Sequence, residues 1–262
     1  MKKALFFDID GTLVSFKTHE IPESTIEAIR KAHERGNKIF ISTGRPYVII
    51  NNLLPLQEEN LIDGYITMNG AYCFIGDDIL YKSPVPKEDV RRIADICKEK
   101  GYACIFVTET EMKVVQPTDE VRKIFNEFLH VTHIPHTDFK DVVDKEIYQM
   151  TVFITEDIEK EVATMMPGSE FNRWYPTFVD ITAKGNTKAH GIDIIMDSIG
   201  MPHDASIAFG DGGNDIPMLE KAAIGVAMGN STDEVKSHAQ IVTDSVDNDG
   251  IAKALKILDL ID

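Results

Sequence analysis

The sequence has no run of apolar residues approaching the ~18 that cross a bilayer, and its first residues lack a secretory signal's long apolar stretch. The expectation is a chain without a membrane partner. Cysteine is scarce: Cys73, Cys97 and Cys104 make an odd number with no Cys-x-x-Cys spacing. Reduced thiols in a cytoplasmic protein are the simplest account. A cysteine-nucleophile phosphatase needs Cys-x5-Arg, which seats the thiolate in a phosphate loop under a guanidinium. The sixth residues after these cysteines are Ile79, Ala103 and Thr110, so that chemistry is excluded.

Positive charge is also short. A formal net charge of −16 sets most of the surface against a phosphate backbone, which argues against nucleic acid. A small anion in a local positive pocket stays open. No GxxxxGK[ST] phosphate loop occurs, and Gly210-x-Gly212-x-x-Asp215 lacks the third glycine of a dinucleotide loop. There is no internal repeat and no low-complexity tract. With 262 residues, 43% of them hydrophobic, the chain can bury one large or two modest domains.

What is present begins near the N-terminus. Leu5-Phe6-Phe7 runs straight into Asp8-Ile9-Asp10-Gly11-Thr12. An unbroken apolar run of this kind predicts a strand buried on both faces, as at the centre of a parallel sheet. Two carboxylates at the end of such a strand are costly unless a cation or partner compensates them. Gly11 lets the chain turn sharply there.

Further along, apolar spacing predicts a helix over 21–35 closed by Gly36, a strand over 38–42, and a helix from Pro46 to about Leu54. A strand over 64–68 and a hairpin of 72–74 with 79–82 follow. This alternation marks a parallel α/β sheet. Ser83-Pro84-Val85-Pro86 is a stiff connector and a domain boundary. Beyond it the pattern reads as α+β. Helices are expected over 87–100, 118–129, 139–144 and 156–166, with strands over 104–108, 112–115, 131–134, 147–154, 169–174 and 178–182. At Ala183-Lys184-Gly185 the α/β alternation returns, with a helix over 188–199, a strand over 206–210, and strand and helix alternating to the end. The predicted organisation is a discontinuous α/β domain of residues 1–83 and 183–262, with an α+β domain of residues 84–182 inserted in it.

Four stretches with polar chemistry fall at strand ends or helix starts, where ligands of open α/β sheets bind. They are Asp8-x-Asp10, Thr43, a lysine near the start of the 188–199 helix, and Asp211 with Asn214 and Asp215. This set resembles the four motifs of the haloacid dehalogenase-like (HAD) hydrolase superfamily: DxDGT, a Thr or Ser ending the second strand, a Lys, and GDxxND. The insert between the second and third motifs resembles the Cof-type subfamily with its type IIB (C2B) cap, and the whole is similar to bacterial hexose phosphate phosphatases. The resemblance implies a Rossmann-like core, an inserted cap that closes over the site, and a phosphatase of small phosphorylated metabolites, hexose or pentose phosphates foremost.

Carried residue by residue, the resemblance makes Asp8 the nucleophile and Asp10 the general acid and base, a service worth on the order of 10²–10⁴ in rate. It implies a Mg²⁺ held by Asp8, the Asp10 backbone carbonyl and Asp211, with Asp215 nearby through water. Thr43, Asn214 and a lysine would meet phosphate oxygens. Relatives commonly place that lysine in a Lys-Gly pair, which points to Lys184. Counting back from the fourth motif and from Gly200 points to Lys188, which is the choice made. Gly44, Arg45, Asn69 and Asp180 are candidate substrate contacts. Arg45 equally suits pairing with an acid, and Asn69-Gly70 equally suits a plain turn.

Other features are set aside. His130, His133 and His136 recur in steps of three, which alternate faces on a strand, and Pro135 argues against a helix. The lone Trp174 is a core residue or a sugar-facing one. The expected function is Mg²⁺-dependent phosphatase action through an aspartyl-phosphate, by a monomer. The alternatives are a phosphomutase or phosphotransferase on the same site, or a phospho-Asp receiver. The inserted domain and Asp10 speak against the receiver.

Overall fold

The structure, a computed structural model, describes residues 2–131 and 133–262. In chain order the elements are β1 (Ala4–Phe7), α1 (Glu23–Glu34), β2 (Lys38–Ser42), α2 (Leu54–Glu58), β3 (Gly64–Thr67), β4 (Tyr72–Ile75), β5 (Asp78–Lys82), α3 (Lys87–Lys100), β6 (Cys104–Val107) and β7 (Met112–Val115). They continue with α4 (Asp119–Val121), β8 (Gln149–Val152), α5 (Glu156–Thr164), β9 (Ser169–Tyr175), β10 (Phe178–Ala183) and α6 (Lys188–Ile199). The last are β11 (Ser206–Gly210), α7 (Ile216–Lys221), β12 (Ile224–Ala227), α8 (Asp233–Ser237), β13 (Ile241–Val242) and α9 (Gly250–Ile257).

The chain divides into two units: Met1–Arg45, Ile50–Tyr81 and Thr187–Asp262 in the first, Pro46–Ile49 and Lys82–Asn186 in the second. The first is a Rossmann-like α/β unit on an eight-stranded sheet of order β13-β12-β11-β1-β2-β3-β4-β5. Its strands run parallel from β13 to β3, and β4 turns back antiparallel. Strand β1 lies between β11 and β2, where the strand order reverses, so a crevice opens at its carboxyl end.

The apolar run at β1 explains its place. Leu5 and Phe7 enter one core with Ile26, Ile29 and Ala32 of α1 and Ile251, Ala254 and Leu255 of α9. Ala4 and Phe6 enter the other with Ile192, Ile195 and Met196 of α6 and Met218 and Leu219 of α7. Period-two alternation thus feeds two cores from one strand, which only a covered central strand can do.

The second unit carries a five-stranded antiparallel sheet of order β7-β6-β8-β10-β9. Val90, Ile93, Ala94 and Cys97 of α3 and Val162 of α5 pack with Met150, Val152, Val179 and Ile181 on one face. By alternation Thr151, Asp180 and Thr182 look out of the other face.

Several segments differ from expectation. No helix runs from Pro46 to Leu54; Tyr47–Ile49 is a single 3₁₀ turn and the next helix begins only at Leu54. Asn51 and Asn52 favour turns, and Pro55 sits in the first turn of the helix that begins at Leu54, where its missing N–H costs nothing. The expected 118–129 helix is a short α turn, capped by Thr118, that continues as a π-helix over Arg122–Phe128. The strand expected over 131–134 is not formed at residues 131, 133 or 134, and Thr132 lies outside the described residues. Nearby, His136 makes one isolated bridge to Val114. Residues 139–141 form one 3₁₀ turn rather than a helix.

Candidate active site

Strand β1 delivers Asp8 and Asp10 to the crevice at its carboxyl end. The Asp8 amide still donates to the Phe209 carbonyl of β11 at 3.0 Å, so the backbone is locked up to that residue. Gly11 then takes φ +88°, and a Cβ there would stand 2.2 Å from Asp211 Oδ2. No side chain fits that position, and glycine lets the backbone pass directly over the Asp211 carboxylate.

Helix α6 contributes Lys188 at its first position, just after Thr187, whose hydroxyl accepts from the His190 amide. The ammonium is buried and donates to Asp8 Oδ1 at 2.5 Å and to Asp215 Oδ1 at 2.6 Å. Burial alone would lower its pKa, but the charges of Asp215 and Asp8 outweigh that and raise it. Lys184 is exposed and belongs to the second unit, so the lysine beside the acids is Lys188.

Asp215 is fully buried, and its Oδ2 accepts from the Asp211 and Gly212 amides, both at 2.9 Å. It therefore holds the loop after β11 as well as the lysine. Asp211 Oδ1 accepts from the Thr12 hydroxyl at 2.9 Å, and Oδ2 from the Asn230 amide at 3.2 Å. Asn230 also donates to the Gly11 carbonyl at 2.9 Å. Asn230 went unrecognised in the sequence: it lies far along the chain from its partners and carries no spacing signal. Thr12 lay in plain view inside the DxDGT stretch, but only as part of the pattern.

These acids crowd one another. Desolvation pushes the Asp8 carboxyl up to about 7, Asp215 adding to the effect and Lys188 opposing it. Desolvation, with Asp8 next, pushes Asp211 up to about 8. Asp8, Asp211 and Asp215 each offer an oxygen within 4.8 Å of the others, and they are the only such metal-capable group among the described residues. The three histidines at 130, 133 and 136 form no such group among the described residues. Three carboxyls share one ammonium, and the donors they offer are all hard oxygens. That set fits a divalent cation of the magnesium type.

Asp10 has a different partner. Arg45 grips it as a fork, Nε to Oδ2 at 2.6 Å and a terminal nitrogen to Oδ1 at 2.7 Å, the bidentate geometry that fixes a carboxylate's plane. Arg45 thus makes the pairing with an acid that its position suits. Thr43 is buried at the end of β2, and its hydroxyl accepts from the Arg45 amide at 3.0 Å. Asn214 donates to Asn69 Oδ1 at 3.2 Å, and Gly44 lies beside that Asn69 amide. The first unit thus gathers Asp8, Asp10, Thr43, Gly44, Arg45, Asn69, Lys188, Asp211, Asn214 and Asp215. Asp180 belongs to the second unit, where it accepts from Thr151 at 2.6 Å and from the Trp174 indole at 2.9 Å.

The family model of haloacid dehalogenase-like hydrolases matches residues 5–255. The chain belongs to that family. YkrA of Bacillus subtilis (strain 168), provisionally named a phosphatase, is 34% identical over 259 residues, spanning 99% of this chain and 98% of that protein. The pyridoxal phosphate phosphatase YbhA of Escherichia coli (strain K12) is 28% identical over 96% of each chain. Among solved structures, the HAD subclass IIB sugar phosphatase BT4131 is 57% identical and superposes with a TM-score of 0.96 over 99% of this chain and all of that one. BT1666 from Bacteroides thetaiotaomicron, described among phosphatases of the same superfamily, is 37% identical with a TM-score of 0.88, over all of this chain and 96% of its own. The chain is a HAD-type phosphatase with the fold of subclass IIB. No helix among the described residues is long and apolar enough to cross a membrane.

Proposed function

We propose that this HAD phosphatase hydrolyses phosphate monoesters of small metabolites, sugar phosphates foremost, through an aspartyl-phosphate on Asp8 and with Mg²⁺ as cofactor. The observation that carries this is the Asp8 carboxylate, held by the Lys188 ammonium at 2.5 Å inside a cluster of acids that asks for a cation.

An Asp8 oxygen attacks phosphorus, the bond from phosphorus to the leaving oxygen breaks, and Asp10 gives that oxygen a proton. Water then attacks the acyl phosphate, Asp10 takes its proton, and the bond between phosphorus and Asp8 breaks to free phosphate. Splitting the reaction in this way replaces one very slow displacement by two easier ones. Lys188 offsets charge on Asp8 and on the phosphoryl oxygens, and the Arg45 fork sets the direction of Asp10. Thr43 and Asn214 supply donors to the phosphate. Asp8, Asp211 and the Asp10 carbonyl would hold Mg²⁺, with Asp215 behind them through water. When bound, the ion keeps Asp8 ionised and neutralises charge on the transferring group.

The reading of a hydroxyl-rich leaving group is supported by the second unit. Thr151, Asp180 and Asn172 stand side by side across β8, β10 and β9. Gln149 Oε1, Asn172 Nδ2 and Thr182 Oγ1 are buried there without a protein partner. Trp174 and Phe178 lie edge to face next to them, 4.9 Å between ring centroids. A carboxylate, amides, hydroxyls and an aromatic edge together suit a polyol. We take this second unit as the part that selects the leaving group and the first as the part that moves phosphate. The residue roles draw on one chain, which is read as a monomer, and its three free, buried thiols suit a reducing cytoplasm.

Asp8→Asn should stop turnover with p-nitrophenyl phosphate and Mg²⁺ while circular dichroism stays that of the wild type, and EDTA should stop the wild type reversibly. Near-normal activity in Asp8→Asn would sink the mechanism. A panel of phosphorylated metabolites ranked by kcat/KM tests the sugar-phosphate reading.

A further inference from the structure

Strand β3 ends in a turn whose conformation is unfavourable for its residues. Met68 takes φ +51° and Asn69 φ +52°, two consecutive left-handed residues of which neither is glycine. Asparagine accepts this region; a bulky methionine does so only where the surroundings impose it. The surroundings are the phosphate-side segments of the site. The Met68 amide donates to the Arg45 carbonyl at 3.2 Å, and the Asn69 amide to the Thr43 carbonyl at 3.1 Å. At Gly70, φ +93°, a Cβ would come within 2.2 Å of the Thr187 carbonyl, immediately before Lys188.

Asn69 is only 2% exposed. An asparagine that merely makes a turn bonds its own neighbouring backbone. Asn69 instead reaches far along the chain: its Oδ1 accepts from Asn214 Nδ2 at 3.2 Å. A Cβ on Gly44 would stand 3.2 Å from Asn69 Oδ1 and 3.3 Å from Nδ2, so glycine there makes room for the amide. Asn69 Nδ2 is buried with no protein partner. A buried amide donor is costly to leave unmet, and this one sits beside Gly44 and Asn214, next to the Thr43 segment that ends β2.

We propose that Asn69 is a catalytic residue that binds the oxyanion. Its Nδ2 donates to a non-bridging oxygen of the phosphoryl group, while its Oδ1 holds Asn214 so that Asn214's second amide hydrogen reaches the same group. The ligand class is a tetrahedral or trigonal-bipyramidal oxyanion, and the inference rests on the phosphatase reading above.

Two variants keep the left-handed turn accessible. Asn69→Asp retains an acceptor for Asn214 but loses the donor; Asn69→Gly loses both and adds no charge. With Mg²⁺ present, both should lower kcat/KM for p-nitrophenyl phosphate by about 10²–10³-fold, the usual loss for one oxyanion donor. Orthovanadate should inhibit both more weakly by a similar factor, with far-UV circular dichroism unchanged. Wild-type kcat/KM and vanadate inhibition in either variant would overturn the proposal and leave Asn69 as a turn residue. A wild-type enzyme that hydrolyses no phosphate monoester would instead count against the phosphatase reading, so the two failures are distinguishable.

Discussion

Lys188 is held on two sides. Its buried ammonium stands between Asp8 and Asp215, and removing it leaves two carboxylates in a dry setting with no ammonium between them. Lys188→Met is therefore expected to lose turnover and to lower stability by about 3–5 kcal/mol, read as a shift in the urea midpoint. Asp180 gives a second residue-level prediction. Burial raises its carboxyl to about 6 from 3.8, against hydrogen bonds from Thr151 and Trp174 that lower it. Below about pH 4 the group is protonated in folded and unfolded chains alike and contributes nothing. As pH rises toward about 6 the folded chain keeps a proton that the unfolded chain has lost, so stability falls, by about 3 kcal/mol in all. Asp180→Asn lacks this penalty, so its stability relative to the wild type should improve between pH 4 and 6.5; a pH-independent gap in urea titrations would refute the account. At this scale the acids were legible because they end an apolar run and adjoin a glycine. The partner of Arg45 and the role of Asn230 were not, because Asp10 and Asp211 are their neighbours only through the sheet.

The strand-end turns position the site. Gly70 closes against the start of α6, and both its φ of +93° and the Thr187 carbonyl exclude a Cβ. Gly70→Ala should push apart β3 and the Lys188-bearing helix, with a drop in Tm and a larger fall in kcat than in KM, measured by calorimetry and steady-state kinetics. Elements with a strong apolar period read correctly from sequence: α3 spans Lys87–Lys100 and α6 spans Lys188–Ile199, as the spacing of Val90, Ile93, Ala94 and Cys97 and the closing Gly200 dictate. Where period and punctuation disagreed, punctuation won. Asn51 and Asn52 interrupt the helix expected after Pro46, the next helix starts with Pro55 in its first turn, and the segment after Thr118 wound into a π-helix that side-chain spacing does not foretell.

For the whole molecule, charge is the organising quantity. A chain of formal charge −16 that gathers Asp8, Asp211 and Asp215 at one site sets like charges together where a divalent cation would offset them. Mg²⁺ should raise the Tm of the wild type, EDTA should reverse the rise, and Asp211→Asn should show much less of it, by mass action on the folded state. The sequence has no apolar run long enough for a membrane helix and no Cys-x5-Arg, and its alternating pattern made the α/β core legible at the outset. The polar row around Asp180 was not legible, because it forms only when β8, β9 and β10 come into register.

The central claim is that Asp8 carries the phosphoryl group. Its most direct test is rapid quench of the wild type and of Asp10→Ala with p-nitrophenyl phosphate and Mg²⁺, followed by peptide mass mapping. Nitrophenolate leaves without a proton, so Asp10→Ala should form the intermediate but hydrolyse it slowly. The peptide containing Asp8 should then gain one phosphoryl group, more fully in the variant than in the wild type. Continued turnover with no phosphoryl group on Asp8 in either protein would contradict the account.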